Sequence, residues 1–277
     1  MSYFKELFLV MIVFTNVLAS SPANVQKKLS ILTYNIWFDK QTSKIRIPRI
    51  LELFDSYKPD VIALQEVEPW FLKAIRDDIR FRGYLFYYER KRDASIKGGV
   101  LLLTKKSAFK NHYLPLPSNM QRGFLFLELA FKKEKLCLIN SHLDSMLNDQ
   151  ELRTKQLLLI QKKVSRCNNI LWLGDFNFGD DGVENDFIEK RFKDVWLLLK
   201  PHQKGFTWDK EYSYLAKENS FLLEKSRRLD RIFVSGKLLK AKNIEIVGNK
   251  SFTTSHGIKL FPSDHFALLA YFLIQND

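Results

Sequence analysis

Asp175 and Asn177 stand two residues apart where the short apolar run Ile170-Leu171-Trp172-Leu173 closes on Gly174. The shortness of the run and the glycine behind it predict a buried strand with a polar mouth. Residues i and i+2 of a strand share a face, so the carboxylate and the amide address one small ligand if the extended geometry continues. Gly-Asp followed by Asn is equally ordinary turn chemistry, and for this stretch alone the turn is the more economical reading. Recurrence changes that balance: Asn35, Glu66, His142 and the pair Asp264-His265 also lie at ends of apolar runs.

Acids, amides and imidazoles without a Ser or Cys nucleophile beside a base suit phosphoryl chemistry. A hard divalent cation wants oxygen ligands, and Mg²⁺ takes one or two carboxylates while keeping waters for a substrate to displace. Glu66 is the first candidate ligand, and no Cys/His spacing suits zinc. Phosphodiester hydrolysis also needs a group to orient or deprotonate water, donors for the charge that builds on the phosphoryl oxygens, and help for the leaving group. A carboxylate for the first and amides and imidazoles for the second are present. A charged His265 needs an acid to hold it, and Asp230 in Arg228-Leu229-Asp230-Arg231 is available.

The elements that must position these groups alternate between strand and helix patterns. Strands are expected at Leu29 to Tyr34, Val61 to Leu64, Tyr84 to Tyr88, Gly99 to Leu103, Phe124 to Phe131, Leu136 to Ile139, Leu229 to Val234, Asn243 to Val247 and Phe266 to Ile274. Helices are expected from Pro48 to Lys58, from Pro69, from Glu151 to Val164 and around Phe187 to Leu199. A strand, a helix and a strand in succession predict a parallel crossover, which brings His142 and Asp175 to the same sheet edge.

Over 277 residues, a hydrophobic content of 46% argues against disorder. The formal charge of +13 points to an anionic partner such as nucleic acid, an acidic membrane or a phosphorylated substrate. Lys5, the apolar stretch Leu7 to Leu18 and the small residues before Ser20 read as a cleavable export signal over residues 1–19, too short to span a bilayer. Residues 20–28 form a short lead, and 29–277 read as one domain without repeat or linker. Two cysteines, Cys137 and Cys167, permit a disulfide in an exported protein but make no framework.

Tyr34-Asn35, Leu64-Gln65-Glu66, Ser141-His142-Leu143, Gly174-Asp175-Phe176-Asn177 and Ser263-Asp264-His265, in this order, resemble the signature of the endonuclease/exonuclease/phosphatase superfamily. The resemblance runs from about residue 29 to the C-terminus. It implies an α/β fold, a four-layer αββα sandwich of the DNase I-like type with two packed mixed sheets flanked by helices, and Mg²⁺-dependent phosphoester hydrolysis, with Mn²⁺ as a substitute. Carried over motif by motif, Glu66 binds the metal with Asn35 beside it and Asp264 in support. Asp175 activates water, Asn177, His142 and His265 bind the phosphate, and Asp230 orients His265. Within the superfamily the chain is similar to the 5′-tyrosyl-DNA phosphodiesterases through Ser141 to Ser145, Phe206 to Asp209, Arg228 to Phe233 and Phe261 to His265. That likeness implies that Arg122 contacts substrate phosphate and Trp208 lines a nucleic-acid groove.

The chain departs from that subgroup at Tyr34, where Trp is usual, and at Phe176 and Phe266, which replace the more usual Thr and Trp. An export signal is also foreign to repair enzymes that act on chromosomal DNA inside the cell. The expectation is therefore an exported, monomeric Mg²⁺-dependent phosphodiesterase acting on nucleic acid, most of all on single-stranded 5′-phosphotyrosyl DNA ends, with no membrane insertion after signal cleavage. A general DNase I-like nuclease and a sphingomyelinase-like lipid phosphodiesterase are the alternatives. A binding protein that lost catalysis is weakened because no expected catalytic position is missing.

Overall fold

A computed structural model describes residues 27–88, 99–131, 133–255 and 258–275. Residues 1–19, where an export signal is expected, and the basic stretch Glu89-Arg90-Lys91-Arg92 lie outside the described residues. Strand β1 (Lys28–Asn35) leads into helix α1 (Ser43–Tyr57), β2 (Val61–Val67), α2 (Pro69–Asp77), β3 (Leu85–Tyr88), β4 (Gly99–Thr104) and β5 (Ala108–Pro115). The hairpin β6 (Gly123–Phe131) and β7 (Glu134–His142) follows, then α3 (Gln150–Lys163), β8 (Asn169–Asp175), β9 (Lys193–Asp194), α4 (Val195–Leu199) and α5 (Tyr214–Asn219). Strands β10 (Asp230–Ser235), β11 (Leu239–Val247), β12 (Thr253–Ser255), β13 (Ile258–Leu260) and β14 (Ala267–Ile274) complete the order.

Two six-stranded sheets result, in the orders β11-β14-β1-β2-β4-β3 and β5-β6-β7-β8-β10-β9. Each contains one parallel pair, β1 with β2 across α1 and β7 with β8 across α3. Parallel neighbours end at the same sheet edge, so Asn35 and Glu66 leave one sheet together, as His142 and Asp175 leave the other. Strand alternation sorts the apolar side chains into layers. Leu29, Ile31, Leu136, Leu138, Leu171 and Leu173 fill the space between the sheets. On the outer faces, Leu32, Tyr34, Ile62 and Leu64 pack against Phe54, Phe71 and Ile75 of α1 and α2, while Ile139, Ile170 and Trp172 pack against Leu157 and Ile160 of α3. This is the expected helix, sheet, sheet, helix sandwich.

Three local expectations change. The segment 187–199 is not one helix: a 3₁₀ turn (Val183–Phe187), β9 and the short α4 replace it. The chain restarts at Asp194, whose carboxylate accepts the N–H groups of Trp196 and Leu197 at 2.9 and 3.3 Å and so caps α4. Helix α1 begins at Ser43, which places Pro48 inside it rather than at its start. Strand β5 is an edge strand with mostly exposed polar side chains, so no apolar alternation announces it. Cys137 and Cys167 are joined as a disulfide that ties β7 to the segment behind α3.

Candidate active site

Asp175 is the last residue of β8 and is paired in register with His142 of β7 on one side and Asp230 of β10 on the other. Its Oδ2 accepts the Asn35 amide at 2.9 Å and lies 3.3 Å from Nε2 of His142 and 3.8 Å from Nε2 of His265. One buried carboxylate oxygen thus gathers groups from both sheets. Burial opposes the Asp175 charge, but the His265 charge and the N–H groups of His142 and Asn35 outweigh it and hold the carboxyl well below the usual range. Burial also disfavours a charged His265, yet Asp230, Asp175 and Asp264 surround it and raise its pKa well above the ordinary value. Nδ1 of His265 lies 2.7 Å from Oδ2 of Asp230, a contact that fixes the ring.

The backbone does not run on extended past the strand. Asn177 adopts φ 55°, its N–H donates to Oδ1 of Asp175 at 3.0 Å, and its side-chain amide donates to the Leu143 carbonyl at 2.8 Å. The stretch is therefore a turn, and it locks the Asp175 carboxylate in place. Gly174 makes this possible, because a Cβ there would lie 1.9 Å from the Ser141 carbonyl oxygen. Glu66 also sits at positive φ, 59°, where the register of β2 against β4 shifts between Leu64 and Val67. Left-handed backbone costs a non-glycine residue about 1–2 kcal/mol, and Trp37 at φ 60° makes a third such residue around the site.

Glu66 accepts the Phe38 N–H at 3.1 Å through Oε2, while Oε1, without a hydrogen bond among the described residues, lies 4.0 Å from Nε2 of His142. Burial pushes the Asp264 carboxyl up to about 7; the His265 charge pulls it down and the Glu66 charge pushes it up again. Two neighbouring carboxylates, Glu66 and Asp264, offer the oxygen ligands that a hard divalent cation takes. Of the two, Glu66 has the oxygen without a hydrogen bond among the described residues. Asp264 is held by Ser263 and Asn219, and Asn35 is spent between Asp175 and the Trp37 N–H, so toward a metal both would act as supports rather than as main ligands. Asp175, Asp230 and His265 also offer ligand atoms within 4.8 Å of one another. A cation there would have to break the short Asp230–His265 bond, so we read that trio as a proton-holding chain.

Arg122 donates from Nη1 to Nδ1 of His142 at 2.9 Å, and its buried Nε has no partner among the described residues. Trp208 differs from expectation. The ring is 6% exposed and meets His265 edge to face at 4.8 Å between centroids, so it buttresses the imidazole instead of offering a face in a groove.

Several supporting residues carried no sequence signal. Buried Arg46 donates to the carbonyls of Ile36, Trp37, Asp39 and Pro262 at 2.7–3.1 Å, tying the loop after β1 to the loop that carries Asp264. Asn140 accepts the Gln65 amide at 2.7 Å and donates to the Leu64 and Leu101 carbonyls at 2.9 Å, joining the two sheets beneath the site. In sequence, Arg46 is one more base in a basic helix and Asn140 one more polar residue at a strand end.

The chain matches the Endonuclease/Exonuclease/phosphatase family over residues 32–265. It belongs to that family, whose members are metal-dependent phosphoester hydrolases. It is similar to tyrosyl-DNA phosphodiesterase 2 of Gallus gallus, 28% identical over 88% of this chain and 66% of the relative, and of Danio rerio, 30% identical over 75% and 56%. The chain thus spans less than two thirds of the length of these curated relatives. Among solved structures, D. rerio TDP2 complexed with single strand DNA product superposes with a TM-score of 0.75 at 25% identity, covering 89% of this chain and 99% of that one. The human Nocturnin catalytic domain shares the fold, with a TM-score of 0.68 at 18% identity over 90% and 94%.

Proposed function

We propose that the chain is an exported, monomeric, Mg²⁺-dependent phosphodiesterase that hydrolyses phosphodiester bonds in nucleic acid, with 5′-phosphotyrosyl DNA ends as its preferred substrate. The observation that carries the reaction class is the convergence of Asn35, His142 and His265 on one oxygen of Asp175, within 2.9–3.8 Å. Asp175 orients water and draws its proton. His265, held charged by Asp230, and His142, through Nε2–H, donate to the phosphoryl oxygens as charge builds there. A divalent ion held by Glu66, with Asp264 and Asn35 in support, would neutralise charge on the phosphate and the leaving oxygen.

The substrate reading rests on the similarity to relatives named for tyrosyl-DNA hydrolysis and on the single-strand DNA in one of the similar structures. The charge of +13 favours a polyanion. Export rests on residues 1–19, and the Cys137–Cys167 disulfide suits an oxidising compartment. No helix among the described residues is long and apolar enough to cross a membrane.

One observation favours the lipid alternative. Phe221, Leu222 and Leu223, in the turn behind α5, are 41%, 94% and 85% exposed, an apolar tip next to the helix end whose Asn219 bonds Asp264.

Purified protein assayed with Mg²⁺ against a 5′-phosphotyrosyl oligonucleotide, plasmid DNA, RNA and sphingomyelin decides among these readings. The tyrosyl oligonucleotide should be hydrolysed fastest. Faster turnover of sphingomyelin would replace the nucleic-acid reading. Intact mass of the secreted protein tests export, and a mature chain that still begins at Met1 would overturn it.

A further inference from the structure

A cavity of about 590 Å³ opens at the end of β7 opposite His142, where the catalytic groups do not reach. Cys137 on its floor is five residues along the strand from His142, about 17 Å at strand rise. Lys110 of β5, Glu128 of β6, the hairpin residues Lys133 to Lys135, and Lys163 and Arg166 at the end of α3 form the walls. Phe126 and the disulfide, which ties β7 to the segment behind α3, also line the cavity.

Five cations face two carboxylates there. Glu128 is shared between Lys110 at 3.3 Å and Lys135 at 3.9 Å, and Glu134 accepts the Asn169 amide at 3.0 Å. Lys133, Lys163 and Arg166 have no carboxylate partner among the described residues. The carboxyl end of α3 offsets roughly half a charge, which leaves a surplus of roughly two and a half positive charges. Lysines on a convex face are simply solvated. In a concavity built from separate chain segments the same charges reinforce one another, and the low-dielectric walls concentrate their field.

We propose that this cavity is an anion-binding site for phosphate groups, with Lys133, Lys163 and Arg166 as the principal donors. Arg166 offers a planar fork for two phosphate oxygens, and the two lysines add point charges. The same chemistry could come from a free polyphosphate or from the backbone of a nucleic-acid strand, and the site does not depend on the activity proposed above.

The test uses full-length Asp175→Asn protein in chelator, so that neither turnover nor a metal contributes. Binding of tripolyphosphate and of a single-stranded oligonucleotide is measured with and without Lys133→Gln, Lys163→Gln and Arg166→Gln combined. Tripolyphosphate affinity should fall at least about tenfold. If nucleic acid uses the site, the slope of log affinity against log salt should also flatten by about two, at roughly 0.7 per phosphate contact on a single strand. An unchanged slope with weakened tripolyphosphate binding supports the site with a free anion as its source. Unchanged affinity for both ligands overturns it. The triple variant with native Asp175 should turn over a small aryl phosphodiester normally, which shows that the fold is intact.

Discussion

Nη1 of Arg122 lies 2.9 Å from Nδ1 of His142, and because a guanidinium can only donate, the imidazole must accept at Nδ1 and carry its proton on Nε2, 3.3 Å from Asp175. The arginine thereby sets which face of His142 can donate. Arg122→Met should lower kcat on a small aryl phosphodiester about ten- to a hundredfold, and Arg122→Lys should restore part of it, since an ammonium also only donates. Nitrogen NMR of the ring checks the cause directly. A protonated Nδ1 in the unsubstituted protein would refute the assignment.

Glu66→Gln and Asp175→Asn should each cost at least about a hundredfold in rate, the scale for losing a metal ligand or a general base. Both changes are close to isosteric, so thermal unfolding should move little. Chelator should abolish activity and Mg²⁺ or Mn²⁺ restore it. Full turnover in excess chelator would contradict the metal's role.

Trp208 lies beneath His265 with Ala216 and Leu229 around it. Trp208→Ala should therefore slow DNA and small aryl phosphodiesters alike and destabilise the fold by about 3–5 kcal/mol. Trp208→Phe should recover most of both losses. If only DNA hydrolysis suffers, Trp208 contacts nucleic acid after all.

Asp194 joins Arg228 and Arg231 on either side of Asp230, at 3.0 and 2.9 Å, and Arg228 also binds Asp180. Burial pushes the Asp194 carboxyl up, but the two arginines outweigh it and lower its pKa. A carboxylate depressed on folding contributes stability that is complete above its unfolded value, about 3.9, and is lost as the pH falls through the folded value. Asp194→Asn should cost about 3–5 kcal/mol near neutrality and flatten the acid limb of stability. Urea unfolding across the acid range measures both, and an acid limb as steep as in the parent protein would count against this network.

Cys137 and Cys167 close a loop with a sequence separation of 30. Loops of this size stabilise a fold by about 2–4 kcal/mol. Reductant should lower the unfolding temperature of the parent and leave a Cys137→Ser, Cys167→Ser double variant unchanged. Equal sensitivity of the two proteins would show that the bond is not formed.

The strands and their mouths were legible because a buried strand writes a largely apolar run, and each run from Leu29 to Tyr34, Val61 to Leu64 and Ile170 to Leu173 breaks at or just before a group with chemistry. One crossover then sufficed to bring His142 and Asp175 together from local pattern alone. Contacts between the two sheets leave no such trace. Asn35 reaches Asp175 across 140 residues and Arg46 reaches the Pro262 carbonyl across 216, so only the packed sandwich decides which polar residue faces the site and which faces water. Trp208 shows the same limit: its motif identifies the residue, but the burial of its ring against His265 is a property of the assembled layers.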